Sequence, residues 1–380
     1  MSSVGWDDDP VVAAWPGLPL LDGDVTADAC VIGLGGSGLA AVSALVARGL
    51  SVVGVDGGRV AAGAAGRNGG FLLGGSALFL HDAVAQWGEG AVSLYQETLA
   101  ELDNLTGLLG PEVVHRVGSV RMSGWPARYA DDGELADLDA HEAALRHYGF
   151  AVQRGHTFGA SALFLPDDAA MNPVRRVMGM ASWLRHRAQL HESTIVRGIG
   201  PRQVITDHGT ISAGVIVVAV DGHLETVVPQ LRGVVRTARL QMLSTAPITP
   251  GRLPCPVYCR WGYDYAQQTP DGRLFVGGGR DRFVEDEWTD STAPTRPVQE
   301  HIERFADVIA GEPIQVEHRW AASVGFTRDG RPLCVEVDDG VVAIGGYNGT
   351  GNLVGPVAAR AAVALVLDRT PPPPYLTSSV

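Results

Sequence analysis

With 380 residues, 46% of them hydrophobic and 19% charged, the chain has room for two domains and the composition of an ordinary globular protein. Its net charge of −13 argues against nucleic acid and against an anionic membrane surface as partners. All 29 basic residues are arginine, which excludes chemistry that needs a lysine amine, such as a pyridoxal Schiff base or a P-loop.

Residues 1–25 are rich in Trp, Pro and Asp and read as an ordered arm. Without a basic n-region they are not expected to be a secretory signal. Ala29–Ile32 reads as a short apolar strand. Leu39–Arg48 has helical spacing (Leu39, Val42, Leu45, Val46) closed by Gly49, and Ser51–Val55 is a second strand ending at Asp56. Residues 61–75 read AAGAAGRNGGFLLGG, too glycine-rich for a stable helix and too apolar at Phe71–Leu73 for a linker. Such a segment suits backbone that passes close to something other than protein.

His81–Gly110 is helical in pattern, VVHRVGSVRMS reads as a strand, and an acidic helix is expected around Glu134–Tyr148. MNPVRRVMGMASWLRHRA looks like a helix starting near Pro173. STIVRGIG and RQVITDHGTISAGVIVVAV follow as strands with a turn at His208-Gly209. Residues 231–290 are strand-rich and aromatic. VVAIGGYNGTGN then leads into a final Ala-rich helix, Pro356–Leu367, stopped by four prolines. The α/β signal therefore falls in three pieces, 26–80, 166–222 and 323–369. The stretches between them, 81–165 and 223–322, read as a mixed second domain, and 370–380 as a tail.

No apolar run reaches the roughly 18–20 residues of a membrane span. Cys30, Cys255, Cys259 and Cys334 make neither a disulfide framework nor a zinc site, so no metal is expected and a reducing cytoplasm is the expected location.

GLGGSG follows the first strand directly and opens a helix, and Asp56 stands 23 positions after Gly33, close to the ~20 of a dinucleotide fingerprint. Gly33 allows the tight turn, Gly35 lets backbone reach a pyrophosphate, and Gly38 lets helix pack on strand. The helix N-terminus offers free N–H groups and a positive dipole end to the phosphates. An acid at position 56 that takes both ribose hydroxyls favours FAD or NAD. The discontinuous α/β domain and a second glycine-rich turn (Gly345, Gly346, Gly349, Gly351) before the last helix favour FAD, because a second helix dipole can stabilise the anionic edge of a reduced flavin.

The block DVTADACVIGLGGSGLAAVSALVARGLSVVGVDGGRVAAGAAGRNGGF resembles the N-terminal signature of the D-amino-acid oxidase-like family of FAD-dependent oxidoreductases, closest to its γ-glutamylputrescine oxidase-like branch. MNPVRRVMGMASWLRHRA, AGVIVVAVDGH, DGRLFVGGGRD, HRWAASVGFTRDGRPLCV and GGYNGTGNLVGPVAAR resemble later blocks of the family in the same order. The resemblance implies an α/β fold (α+β overall): a discontinuous Rossmann-type FAD-binding domain with a mixed-sheet substrate domain, as in glutathione-reductase-like and D-amino-acid oxidase-like proteins. It also implies oxidation of a C–N bond in a primary or secondary amine or amino acid.

Carried over, Gly33, Gly35, Gly38 and Asp56 hold the ADP half of FAD, with Gly36, Ser37, Gly57 and Ala219 beside them. Ala64, Arg67, Asn68, Gly69, Gly70 and Phe71 line the pyrophosphate and isoalloxazine, and Val196 meets the adenine. Gly346, Asn348, Gly349, Thr350 and Gly351 lie along the pyrimidine edge. The family's usual GYSGHG is GYNGTG here, and its loop serine is Ala65. Some relatives attach flavin through a Cys ahead of the motif that TRDGRP resembles; this chain has none there, so the FAD is expected to be non-covalent. Those relatives also activate dioxygen with a lysine over the flavin, which leaves dioxygen and another electron acceptor both open. A flavin-bearing dehydrogenase subunit, or a regulatory flavin-binding protein acting with a partner, is the alternative reading.

On the substrate side, alternation along Tyr258–Tyr265 would put Trp261, Tyr263 and Tyr265 on one face, so Trp261 and Tyr265 are the expected substrate wall. A substrate carboxylate would need an arginine fork, with Arg260, Arg280 and Arg319 as candidates and Trp320 as a cap. A small-molecule substrate is the expected partner, and a homo-oligomer is compatible with the composition.

Overall fold

The computed structural model describes residues 4–126 and 130–378. Two compact units divide the chain. Asp9–Gly66, Pro173–Ala238 and Ser323–Val380 form a Rossmann unit, and Met1–Asp8, Arg67–Asn172 and Arg239–Ala322 form a mixed-sheet unit. The division leaves residues 67–80 in the mixed-sheet unit and splits the N-terminal arm at Asp8/Asp9, where the sequence suggested boundaries at 80 and 25.

In the Rossmann unit, Val25–Ile32 lies parallel to Thr210–Val218 on one side and to Val52–Val55 on the other. Gln189–His191 extends the parallel sheet beyond Val52–Val55, and Val341–Gly345 pairs in parallel with Thr210–Val218. Ala29–Ile32 and Val52–Val55 are wholly buried, which is why they are continuously apolar: a parallel sheet is covered on both faces. His208-Gly209 makes the expected turn between antiparallel Gln203–Thr206 and Thr210–Val218. Helix Gly36–Ala47 packs against the last helix, Gly351–Asp368.

That last helix begins five residues before the expected start at Pro356, so the proline lies inside it. Pro356 has no N–H for the carbonyl of Asn352 four residues back. Arg176 supplies the missing donor: its Nη2 gives a hydrogen bond of 2.6 Å to the Asn352 carbonyl and its Nη1 one of 3.0 Å to Oδ1 of the same residue. At its observed length this is the one helix, among the described residues, long and apolar enough to cross a membrane. The short sequence-based helix concealed this. Its apolar face is taken up by the Rossmann core.

The mixed-sheet unit is built on eight strands in the order Val316–Thr327, Val235–Thr245, Leu274–Gly278, Asp264–Gln268, Val257–Cys259, Ser119–Met122, Ala160–Leu165 and Gln153–Thr157. Its Val120, Leu243, Val257, Ala266 and Val276 pack against Ile302, Phe305 and Ile309 of helix Arg296–Ala310. Two expected elements are each broken by a glycine in the left-handed region. Gly88 (φ +62°) divides His81–Gly110 into helices Leu80–Trp87 and Gly90–Leu109. Gly118 (φ +72°) sends Val114–His115 into a small sheet with Phe71–Leu72 and Ala169–Met171, while Ser119–Met122 joins the large one. The four cysteines are all buried and free.

Candidate cofactor and substrate sites

The fingerprint turn of the Rossmann unit has no room for side chains. At Gly33 (φ +94°) a Cβ would come within 2.7 Å of the Ala219 carbonyl oxygen, and at Gly38 it would overlap the carbonyl oxygen of Gly33. Gly35 is the N-cap of helix Gly36–Ala47 and gives no side-chain cap, so the first-turn N–H groups of Gly36, Ser37 and Gly38 are left for a ligand. Opposite them stands the short helical turn Ala64–Arg67; a Cβ on Gly35 would come within 3.3 Å of that of Ala65. Asp56 is held in place by the chain around it, with Oδ2 accepting from the Leu34 N–H at 2.8 Å and Oδ1 from the Gly58 N–H at 2.9 Å. Each oxygen keeps a second lone pair for a hydroxyl. Residues leading to Val196 run alongside: Thr194 N–H donates to the Asp56 carbonyl at 2.8 Å and Ser193 N–H to that of Gly58 at 3.2 Å.

Helix Gly351–Asp368 also starts without a side-chain cap, its N-cap Thr350 turning its hydroxyl back to the Tyr347 carbonyl at 2.8 Å. The two uncapped helix starts are tied together by Arg176, which packs on Gly36 and bonds Asn352. The glycine-rich turn between is fixed from below. Asp221 accepts the N–H groups of Gly346 (2.9 Å), Tyr347 (3.3 Å) and Gly325 (3.0 Å), and burial pushes its carboxyl pKa upward against the pull of these bonds. Asn348 (φ +54°) spends its amide on the protein: Oδ1 accepts from Thr327 N–H, and Nδ2 donates to the carbonyls of Gly330 and Gly346. Its side chain therefore shapes the turn. Gly349 (φ +92°) has nothing within 4 Å of an added Cβ, so the turn opens there onto free space.

Arg67–Phe71 continues in the mixed-sheet unit, where three successive carbonyls are each gripped by a side-chain N–H. Trp320 Nε1 donates to Arg67 O at 2.8 Å, Trp6 Nε1 to Asn68 O at 2.8 Å, and Gln267 Nε2 to Gly69 O. Arg67 Nη1 reaches the Ala321 carbonyl at 3.2 Å, and Asn68 Oδ1 takes the Gly70 N–H at 2.8 Å. Trp6 itself is stacked on Phe275 with centroids 3.5 Å apart. The loop is thus rigid before anything binds. Trp6→Ala should weaken FAD binding at least tenfold and destabilise the fold by about 3 kcal/mol, since it loses both the stack and the carbonyl grip. Trp6→Phe keeps the stack and should recover most of the stability but not all of the affinity, as flavin fluorescence titration of the refilled apoprotein will report.

The aromatic wall differs from expectation. Residues 258–265 are not one alternating strand. Arg260, Trp261 and Gly262 have φ of +48°, +57° and +90° and form the turn of a hairpin between Val257–Cys259 and Asp264–Gln268. Trp261 and Tyr263 are therefore exposed, with the Trp261 indole N–H donating to Asp137 Oδ2 at 2.7 Å. Tyr265 instead pairs across the hairpin with Tyr258, and Tyr258 with Arg121 on the next strand. Arg121, Tyr258, Tyr265 and Gly277 make a row across four strands, and a Cβ on Gly277 would meet the Tyr265 ring at 2.5 Å. Phe71 stands edge-on to both rings, 5.1 Å from Tyr258 and 5.7 Å from Tyr265. Tyr258, Tyr265 and Phe71 thus stand together, and Trp261 stands apart from them on the hairpin turn.

The three expected arginine forks are otherwise engaged. Arg319 points to helix Arg296–Ala310, where Nη2 pairs with Glu303 at 2.6 Å and Nη1 with Gln299 at 3.1 Å. Arg260 is bidentate to Asp281 and bonds Asp264, and Arg280 lies 4.3 Å over the Trp288 ring. Trp320 is fully buried and serves the Arg67 carbonyl. Arg121, not among the expected candidates, pairs with Tyr258 in the aromatic row. Its signal was present in SVRM, where a strand pattern turns Ser119 and Arg121 to the face opposite buried Val120 and Met122.

The hairpin that carries Tyr258 and Tyr265 is anchored by Asp264. Its Oδ1 is 2.8 Å from His301 Nε2 and accepts the Gly279 N–H at 3.0 Å, while Oδ2 accepts from Arg260 Nε and Trp125 Nε1, each at 2.6 Å. Burial alone would raise this carboxyl, but His301 and Arg260 outweigh it and hold it down at about 2.

The bare turn, the two uncapped helix starts and the placed acid fit FAD. The family described as FAD dependent oxidoreductase matches residues 28–365. A probable oxidoreductase OrdL of Rhizobium meliloti is 26% identical over 93% of this chain and 86% of its own length. The gamma-glutamylputrescine oxidoreductase of Escherichia coli is 23% identical over 87% of this chain and 81% of its own. In fold, the chain is similar to glycine oxidase from Geobacillus kaustophilus, with a TM-score of 0.73 at 19% identity over 91% of this chain and 95% of that one.

Proposed function

Because the chain belongs to the family of FAD-dependent oxidoreductases, we propose that it oxidises a C–N bond of an amine or amino acid, by hydride transfer to flavin N5 and hydrolysis of the resulting imine. The observation that carries this reading is the aromatic row Tyr258–Tyr265 with Phe71 against it, in the same unit as the rigid loop Arg67–Phe71. The flavin supplies the hydride acceptor. The protein supplies a dry wall, and a dry wall favours the neutral amine, the form that can release hydride. Burial lifts both phenols above their ordinary range, so Tyr258 and Tyr265 stay protonated and offer the substrate ring faces and O–H donors rather than charge. In this reading the fingerprint turn and the second glycine-rich turn of the Rossmann unit hold FAD, and the aromatic row of the mixed-sheet unit meets the substrate.

The relatives named above for gamma-glutamylputrescine and glycine agree with a nitrogen-bearing substrate. The purified protein should be yellow, and acid precipitation should release FAD into the supernatant, since the reading has the cofactor non-covalent. Mixed anaerobically with a broad panel of amines and amino acids, the flavin should bleach with at least one. A panel that leaves it fully oxidised overturns the proposal. Reoxidation of the bleached enzyme by air, measured against reoxidation by an artificial acceptor, then distinguishes oxidase from dehydrogenase.

A further inference from the structure

Arg176 is 1% exposed and stands between the first turns of two helices of the Rossmann unit. Its guanidinium lies flat on Gly36, where an added Cβ would meet Nη2, Nη1 and Cζ at 3.1, 3.2 and 3.3 Å. The same group donates to the carbonyl and to Oδ1 of Asn352, the second residue of helix Gly351–Asp368. Neither helix start has a side-chain cap. A positive charge is thus buried at the positive ends of two helix dipoles at once, where each dipole disfavours it.

Replacing the donor that Pro356 lacks does not require that charge. A neutral amide could serve the Asn352 carbonyl without the desolvation that a buried guanidinium costs. The charge turns favourable when anions sit at the two helix starts, and FAD brings one to each. The first is its pyrophosphate. The second is the pyrimidine edge of its ring, which becomes anionic on reduction. Because the guanidinium is buried, salt screens it little.

Another buried charge lies at the second turn, and its sign is opposite. Asp221 accepts the N–H groups of Gly346 and Tyr347, so a carboxylate lies behind the turn that would meet the ring. That carboxylate works against an anion there. Arg176, bonded to the helix that follows the turn, is placed to offset it.

We infer that Arg176 is a positioning residue for the reduced cofactor: it ties the two helix starts together and supplies the buried charge that stabilises the anionic flavin. The inference rests on FAD lying at these two turns and is independent of the substrate.

The test titrates sulfite against the oxidised, FAD-loaded protein. Sulfite adds to flavin N5, leaves negative charge on the pyrimidine edge and bleaches the visible absorption. Wild type should bleach saturably. Two variants separate charge from hydrogen bonding. Arg176→Gln keeps N–H donors for Asn352 and drops the charge, whereas Arg176→Lys keeps the charge and drops the fork. Arg176→Gln should raise the sulfite Kd about tenfold or more and lower the two-electron midpoint potential by about 30 mV, the equivalent of tenfold. Arg176→Lys should stay within about threefold of wild type. The potential is read by anaerobic reduction against a reference dye.

Unchanged sulfite Kd and potential in Arg176→Gln overturn the inference. A loss as large in Arg176→Lys as in Arg176→Gln does so too, since it leaves only the hydrogen bonds. A yellow wild type that forms no sulfite adduct overturns it even if both variants fail to fold. A chain that takes up no FAD overturns the cofactor placement and the inference with it, and its lack of colour tells the two failures apart. Failure of every amine to reduce the flavin leaves these measurements as they stand.

Discussion

Gly38→Ala should yield a protein that no longer retains FAD and purifies colourless. The added methyl would sit on the carbonyl oxygen of Gly33, with the Gly33 carbonyl carbon only 2.9 Å away and the Ala219 side chain behind at 3.6 Å. Both near contacts are backbone, so no side chain can swing aside. Relief must come from moving helix Gly36–Ala47 away from strand Val25–Ile32, and that movement withdraws the first-turn N–H groups from the pyrophosphate. A clash of this kind belongs with the largest single-substitution effects, about 4 kcal/mol or more. Gly49→Ala is the matched control: Gly49 has φ of +80° but open space around its Cβ. It should cost about 1 kcal/mol and leave the cofactor in place. The ratio of flavin to protein absorbance after gel filtration, with a thermal melt, reads out both; a yellow, stable Gly38→Ala protein would contradict the account of the turn.

Asp264→Ala should be the most damaging change in the mixed-sheet unit. It removes one fully buried carboxylate and leaves Arg260, His301 and the Trp125 indole N–H facing a gap. Breaking a buried charge hub from one side typically costs about 3–5 kcal/mol. The hairpin would loosen, and with it the alignment of Tyr258 with Tyr265. Urea unfolding should show the loss, and protease cleavage should appear first near the hairpin turn at 260–262.

The same carboxylate predicts a pH dependence with a definite sign. Its folded pKa of about 2 lies below the ~3.9 of an unfolded Asp, so the unfolded chain takes up the proton more readily. The contribution is therefore fully present above about pH 4 to 5, and it is lost as pH falls through about 2. It amounts to about 2–3 kcal/mol, and Asp264→Ala should flatten the acid limb of the stability profile by that amount.

Much of the Rossmann unit was legible in the sequence, because its signals are local. A strand, a bare turn, a helix and an acid follow one another within Ala29–Asp56, and steric and electrostatic demands there fall on adjacent residues. The helix at Pro173 and the turn at His208-Gly209 were readable for the same reason. The substrate side was not. Whether Tyr258–Tyr265 is one strand or a hairpin depends on three successive left-handed residues, and Arg260 and Trp261 are not types that announce such a turn. The hairpin turn is held because Arg260 finds Asp264 within the hairpin and Asp281 beyond it, and His301 of helix Arg296–Ala310 reaches Asp264. Arg319 looked as suitable a fork as Arg260 or Arg280, and only the helix carrying Glu303 shows that it is engaged elsewhere. The start of the final helix was misread because a proline usually marks a first turn, and here Arg176 makes an interior proline acceptable.

The indole grip on the Asn68 carbonyl also bears on how the chain folds. Trp6, its stacking partner Phe275 and the second clamp, Trp320, come from three distant stretches of the chain. Loop Arg67–Phe71 therefore cannot reach its final shape by local folding. It sets only once those stretches have met, and contacts of such long sequence separation form slowly.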